Sequence, residues 1–279
     1  MDNCVLGRAL ESVRATVPLV HCITNCVTVN DCANALLACG GSPIMSDEPD
    51  DVDDITSICG GLVLNIGTLN AQTIQGMRVA GARASELGHP IVLDPVGAGA
   101  SRLRTKTASE LLDTCNVSVI RANMSEMKAL AGAAAATRGV DVNPDDVVTD
   151  GNLASSSAFA CELAAKMDAI VAITGAIDIV ADARRAYAIR NGVPVMGRIT
   201  GAGCMLTCIV AAYAVANPDA MTEAVAAAIA NEGLAGQIAA ERMSPQDGNG
   251  SFRTYLLDAL YNMDAETLEA GAVVEQVIG

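Results

Sequence analysis

Short, nearly continuous apolar runs at 61–67 (GLVLNIG), 90–96 (PIVLDPV) and 169–174 (AIVAIT) end at a Gly or a polar residue, as buried parallel strands do. The segments 18–24 (PLVHCIT), 42–46 (SPIMS) and 117–123 (VSVIRAN) read as further strands. Between them, apolar residues recur at helical spacing over 25–39, which Gly40-Gly41 stops, and over 70–87, 104–115, 125–131 and 153–166. Strand and helix in turn at these intervals predict a parallel βαβ sheet covered on both faces. The pieces at 179–181, 186–190 and 194–197 are short and turn-separated, which predicts an antiparallel flap at one sheet edge. A β-like stretch over 193–199 then gives way to a long helix after Gly201, and 221–242 and 252–262 are helical. The segment 133–152 mixes Ala, Gly and Asp with Pro144 and reads as a surface excursion. No linker, repeat or low-complexity tract interrupts the pattern, so 1–279 reads as one domain.

Hydrophobic residues make up 51% against 18% charged, enough for a large core, and aromatics are only 2%. Such a core is built from small aliphatic side chains, which suits close packing of helix on sheet. The formal net charge of −15 argues against nucleic acid or an anionic membrane as partner, since both need basic surface. An anionic substrate then needs local positive potential from helix N-termini, a few Arg or Lys, or a metal ion. The ten Cys are scattered through apolar segments with no signal-peptide pattern, which reads as reduced thiols in the cytoplasm. Neither Cys22-x-x-x-Cys26 nor Cys204-x-x-x-Cys208 has zinc spacing, and there are only two His. The longest apolar runs, at 205–216 and 224–230, fall short of a membrane span and read as buried helices.

Ligands of an open α/β sheet gather at the carboxyl ends of its strands. Those ends carry Thr24-Asn25, Met45-Ser46, Asn65, Asp94, Arg121 to Asn123, Thr174 and the Gly201 loop. Each of these alone also serves as a cap or turn residue. The stretch 198–207 (RITGAGCMLT) puts small residues at a helix start, where free N–H groups and the dipole receive anions. Gly201 and Gly203 let a phosphoryl group approach closely, and Cys204 in the first turn is expected to have a lowered thiol pKa. A tight Gly-rich turn with a buried Cys is the plainer alternative. Asp94 can hold Mg²⁺ directly or through water. Glu126 either joins it or complements the dipole of its own helix. Arg121, one strand from Asp94, suits phosphate contacts. The run 47–54 holds six carboxylates in eight residues and reads as a solvated loop leading into a helix N-terminus, not a metal site. His21 reads as a strand-end residue satisfied by backbone, and His89 as part of a surface turn. There is no G-x-x-x-x-G-K-[ST], and no G-x-G-x-x-G follows the first strand, so a P-loop is excluded and a dinucleotide site disfavoured.

PLVHCITNCVTVNDCANALLACGGSPIMS, VLDPVGAGAS, VIRANMSE, AITG and RITGAGCMLT, in this order and spacing, resemble the hydroxyethylthiazole kinase family over residues 18–213. The resemblance implies a three-layer α/β ribokinase-like fold, with a mostly parallel central sheet and helices on both faces. It implies ATP-dependent phosphorylation of the hydroxyl of 4-methyl-5-(2-hydroxyethyl)thiazole in thiamin biosynthesis. Sugar-kinase members of that fold carry G-A-G-D where this chain has Gly201-Ala202-Gly203-Cys204. By the same resemblance Met45 and Gly201 contact the thiazole alcohol, with Asn25 near it, and Arg121 and Thr174 contact ATP. Asp94 and Glu126 organise Mg²⁺ and the phosphates, and Cys204 is the catalytic group beside the substrate hydroxyl. A homotrimer sharing the thiazole site between subunits is also implied. The segment 133–152 matches only around Gly139-Val140-Asp141. A related kinase for a hydroxymethylpyrimidine or a sugar, and a ligand-binding member without turnover, remain the alternatives.

Overall fold

Residues 3–132 and 146–279 are described by a computed structural model. In chain order the elements are α1 (Cys4–Thr16), β1 (Leu19–Ile23), α2 (Val29–Cys39), β2 (Ser42–Ile44), α3 (Val52–Ile58), β3 (Gly61–Asn65) and α4 (Ala71–Leu87). There follow β4 (Ile91–Asp94), α5 (Arg102–Thr114), β5 (Val117–Asn123), α6 (Met124–Leu130), α7 (Leu153–Met167), β6 (Ile170–Thr174), β7 (Asp178–Ala181) and β8 (Ala186–Ile189). The chain closes with α8 (Ala202–Ala216), α9 (Met221–Glu241), α10 (Asn249–Asn262), α11 (Ala265–Gly271) and β9 (Val274–Ile278). All nine strands share one sheet in the order β2-β1-β3-β4-β5-β6-β7-β8-β9. The first six run parallel and the last three antiparallel, which is the mostly parallel sheet with an antiparallel edge expected from the pattern. The matching Gly139-Val140-Asp141 lies outside the described residues, as does most of the 133–152 segment.

Two apolar layers flank the sheet. Val63, Val92 and Ala172 pack on one side with α1, α2, α8, α9 and α10. Leu62, Leu64, Leu93 and Ile173 pack on the other with residues of α4, α5 and α7. Successive side chains of a strand face opposite sides. Asn65, Asp94 and Thr174 therefore share the face of Val63, Val92 and Ala172, towards α8. Arg121 shares the face of Val119 in the same layer. That parity is the step that aims polar strand ends at the start of one helix.

One expectation needs correction, and two elements are additional to the pattern. Residues 194–197 are no strand but part of a 3-10 turn, Pro194–Arg198. Pro194 has no N–H to give a ladder and sits at the first helical position, where that loss costs nothing. The third piece of the antiparallel edge is instead β9, which pairs with β8. Its sequence VEQVI is neither a continuous apolar run nor a strict apolar–polar alternation, so periodicity does not mark it. The helix α1, before the first strand, was likewise not read. Elsewhere boundaries move little: Asn70 caps α4 by accepting from the N–H groups of Gln72 and Thr73. The acidic run is loop plus the start of α3, tied down where Asp47 accepts from the Thr73 hydroxyl at 2.8 Å and Asp51 from Ser46 at 2.5 Å. Among the described residues no single helix is long and apolar enough to cross a membrane.

Candidate active site

Gly201 begins α8 with φ 90°, a left-handed conformation, and a Cβ there would lie 2.5 Å from the Thr28 methyl. Only Gly fits both demands. The turn leaves the first N–H groups of α8 without helical partners, the first bond in the helix being Met205 N–H to Gly201 O at 2.8 Å. The carboxyl ends of β1, β3, β4, β5 and β6 converge on this start.

Cys204 sits at the centre of a hydrogen-bonded cluster at the start of α8. Its Sγ accepts from Asn25 Nδ2 at 3.1 Å and from Asn65 Nδ2 at 3.3 Å. The Asn65 amide also donates to Asp94 Oδ2 at 2.8 Å, so one side chain bridges thiol and carboxylate. Asn25 Nδ2 in turn reaches Asn65 Oδ1 at 3.2 Å, and the Thr28 hydroxyl holds Asn25 Oδ1 at 3.0 Å. The lowered thiol pKa expected for Cys204 is reversed. Burial first, then the charge of Asp94, pushes the thiol up to about 11. The expectation rested on the helix N-terminus alone, whereas burial and a neighbouring carboxylate both disfavour the thiolate.

Asp94 is wholly buried, and burial raises its pKa against the opposing pull of Arg121, Thr207 and Asn65. Thr207, one turn into α8, donates to Asp94 Oδ2 at 2.7 Å. Arg121 Nη1 stands 3.6 Å from the same oxygen, and its Nη2 donates to Thr174 Oγ1 at 2.5 Å. Among the described residues Asp94 Oδ1 has no hydrogen-bond partner. Glu126 accepts from the N–H of Gly97 at 2.7 Å and of Asn123 at 3.0 Å, while Asn123 caps Glu126 N–H. The N-x-x-E spacing is thus a capping box, a structural role for Glu126 more specific than the dipole complement expected. Burial and the Asp94 charge raise its carboxyl to about 7.

These residues fit Mg²⁺ in one sense only. No three His, Cys, Asp or Glu among the described residues could enclose a metal ion. Mg²⁺ ordinarily keeps water and uses one or two carboxylates plus substrate phosphates, and an orphaned hard oxygen such as Asp94 Oδ1 suits that. A cleft of about 610 Å³ opens beside Arg121 and Thr174, walled by Gly203, Pro194, Met196 and Ile229.

Met45 is partly buried beyond the edge strand β2, packed on the α8-side core, and has no described bond to Cys204 or Asp94. His21 lies between Ser46 O and the Thr56 hydroxyl, both at 2.9 Å, and burial lowers its pKa. It is a satisfied core residue. Asn65 was visible as a strand end. Thr207, Thr28, Asp178 and Glu232 were not singled out; Thr207 three residues after Cys204 was the one signal available.

A sequence model of the hydroxyethylthiazole kinase family matches residues 10–266, beyond the 18–213 carried by the motifs. The chain is 51% identical over 271 residues to a hydroxyethylthiazole kinase of Clostridium acetobutylicum, covering 97% of this chain and 99% of that one. The solved hydroxyethylthiazole kinase of Pyrococcus horikoshii superposes with a TM-score of 0.85 at 35% identity, over 97% of this chain and 98% of that one. A ribokinase-like superfamily protein of Enterococcus faecalis matches with a TM-score of 0.60 at 13% identity over 89% of each chain, a likeness of fold alone.

Proposed function

The chain belongs to the hydroxyethylthiazole kinase family and phosphorylates the thiazole alcohol of thiamin biosynthesis, and from that premise we propose how its residues divide the work. The phosphoryl donor is a nucleotide, which we take to be ATP, with its phosphates at the start of α8 between Arg121 and Thr174. Phosphoryl transfer asks for positioning and charge stabilisation more than covalent chemistry. Asn25, Gly201 and Met45 form the thiazole side, and Cys204 meets the hydroxyl that attacks. Because burial keeps the thiol neutral near pH 7, its part is to orient that hydroxyl, with a minor share as base. Asp94 and Glu126 would hold Mg²⁺ through water, and the ion when bound supplies positive charge to the phosphate oxygens.

The single observation that carries this division is the Asn65 amide, which ties Cys204 to Asp94 beside Arg121. It sets an acceptor side next to a phosphate side within one hydrogen-bond network. We further read residues 1–279 as one kinase domain, cytoplasmic and trimeric. The ten free thiols support the compartment, and the exposed Val27 and Val29 beside Asn25 support a shared site. The test offers purified protein, ATP and Mg²⁺ the thiazole, hydroxymethylpyrimidine and sugar alcohols in parallel and measures ADP release. Turnover with the thiazole alone is expected. Thiazole binding without turnover would favour a ligand-binding member, and turnover with another alcohol a different kinase.

A further inference from the structure

The cleft beyond Arg121 holds an acid that phosphoryl transfer leaves unused. Glu232, on α9, is 3% exposed and lines the cleft, and its Oε1 has no hydrogen-bond partner among the described residues. A buried carboxyl oxygen without a partner is costly unless a ligand meets it. Its surroundings say which part of a ligand that is. Glu232 and Gly236 lie one turn apart on the same face of α9. The charge of Arg121 acts on Glu232. A Cβ at Gly236, by contrast, would lie 2.6 Å from the Met196 sulfur. Glu232 therefore stands between a phosphate end, with Arg121 and Thr174, and an apolar end formed by Val193, Pro194 and Met196. A nucleotide with its phosphates at the first and its base against the second brings its sugar to Glu232.

Resting on the assignment of this cleft to the nucleotide, we infer that Glu232 hydrogen-bonds a hydroxyl of the ribose and makes the site selective for ribonucleotides over deoxyribonucleotides. Asp178 is the other acid lining the cleft, but its Oδ1 accepts the Gly175 N–H at 2.8 Å. Burial lifts the Glu232 carboxyl to about 8, with Arg121 opposing and Asp178 adding to the rise. Near pH 7 it is mostly a neutral acid, able to donate or accept, and it does not repel the neighbouring phosphates.

The experiment measures dissociation constants of a non-hydrolysable ATP analogue and its 2′-deoxy and 3′-deoxy counterparts by calorimetric titration. Wild type is expected to favour the ribonucleotide over at least one deoxy form by about 10- to 100-fold, the scale of a buried polar group losing its partner. In Glu232→Leu that ratio should collapse towards one. A residue that only balances the Arg121 charge would weaken all three ligands alike and leave the ratio unchanged, which overturns the inference, as does a wild type without preference. If the Leu variant does not fold, Glu232→Ala decides. It removes both carboxyl oxygens and leaves no donor or acceptor for a ribose hydroxyl, and an unchanged ratio there is equally fatal. Absence of any nucleotide binding would sink the kinase assignment of the cleft itself, whereas binding without discrimination sinks the ribose contact alone.

Discussion

The two ends of the site are held in opposite ways. On the acceptor side neutral amides of Asn25 and Asn65 point at a neutral thiol, and no ionised group touches Cys204 among its described hydrogen bonds. On the nucleotide side one cation, Arg121, stands 3.6 Å from Asp94, and the pull of Asp94 and then Glu126 opposes the burial that works against its charge. A buried charge is tolerable only with such partners, while a neutral group needs hydrogen bonds alone. On the proposed division, the acceptor end would hold a hydroxyl in place and the nucleotide end would receive and stabilise charge. Substitutions at the boundary should separate the two.

The largest effect is expected at Asp94. Asp94→Asn should lower turnover by about a thousandfold, the scale of losing a preorganised charge contact, with thiazole affinity changed only a few-fold. Steady-state kinetics together with calorimetric titration of the thiazole make the comparison. An equal fall in thiazole affinity would place Asp94 on the acceptor side as well.

Gly203→Val probes the other side of the boundary. A Cβ at Gly203 would lie 2.6 Å from Arg121 Nη1, so the variant should displace the guanidinium rather than only block the phosphate path. Nucleotide affinity should fall by about 10- to 100-fold, as when one charge-assisted contact is lost, with thiazole affinity nearly kept. Unchanged nucleotide binding in a variant folded by circular dichroism would mean the phosphates sit away from Arg121.

Cys204 carries an expected effect no larger than that at Gly203 and the most informative pH dependence. Cys204→Ala should be slowed by about 10- to 100-fold, and Cys204→Asp should stay active. With the thiol at about 11, its ionised fraction climbs about tenfold per pH unit from 7 to 9. A thiolate base would make the wild-type rate climb in step. If the thiol only aligns the hydroxyl, wild-type and Ala profiles should run parallel over that range, and a steep wild-type profile against a flat Ala profile would restore the base.

Much of this was legible because it rests on local chemistry. Apolar runs of β3, β4 and β6 end in Asn65, Asp94 and Thr174. The N-x-x-E spacing encodes a capping box, and the glycines before Cys204 mark a helix start open to anions. Burial of a strand, alternation of its faces and capping of a helix depend on residues within a few positions of one another, so they survive being read in one dimension.

The rest depends on which elements are neighbours. Register places Asn65 opposite Asp94, and the next pair along, Leu93 with Ile120, sets Arg121 beside that carboxylate. Thr207 reaches Asp94 across 113 positions, and Glu232 comes from α9 to face a cleft whose far wall is a 3-10 turn where a strand was expected. The thiol of Cys204 shows the division best. Its place at a helix N-terminus is written in the residues around it, and that alone lowers a pKa. The direction it takes is set by burial against neighbouring elements and by the charge of Asp94, both long-range, because desolvation in a packed interior disfavours the thiolate.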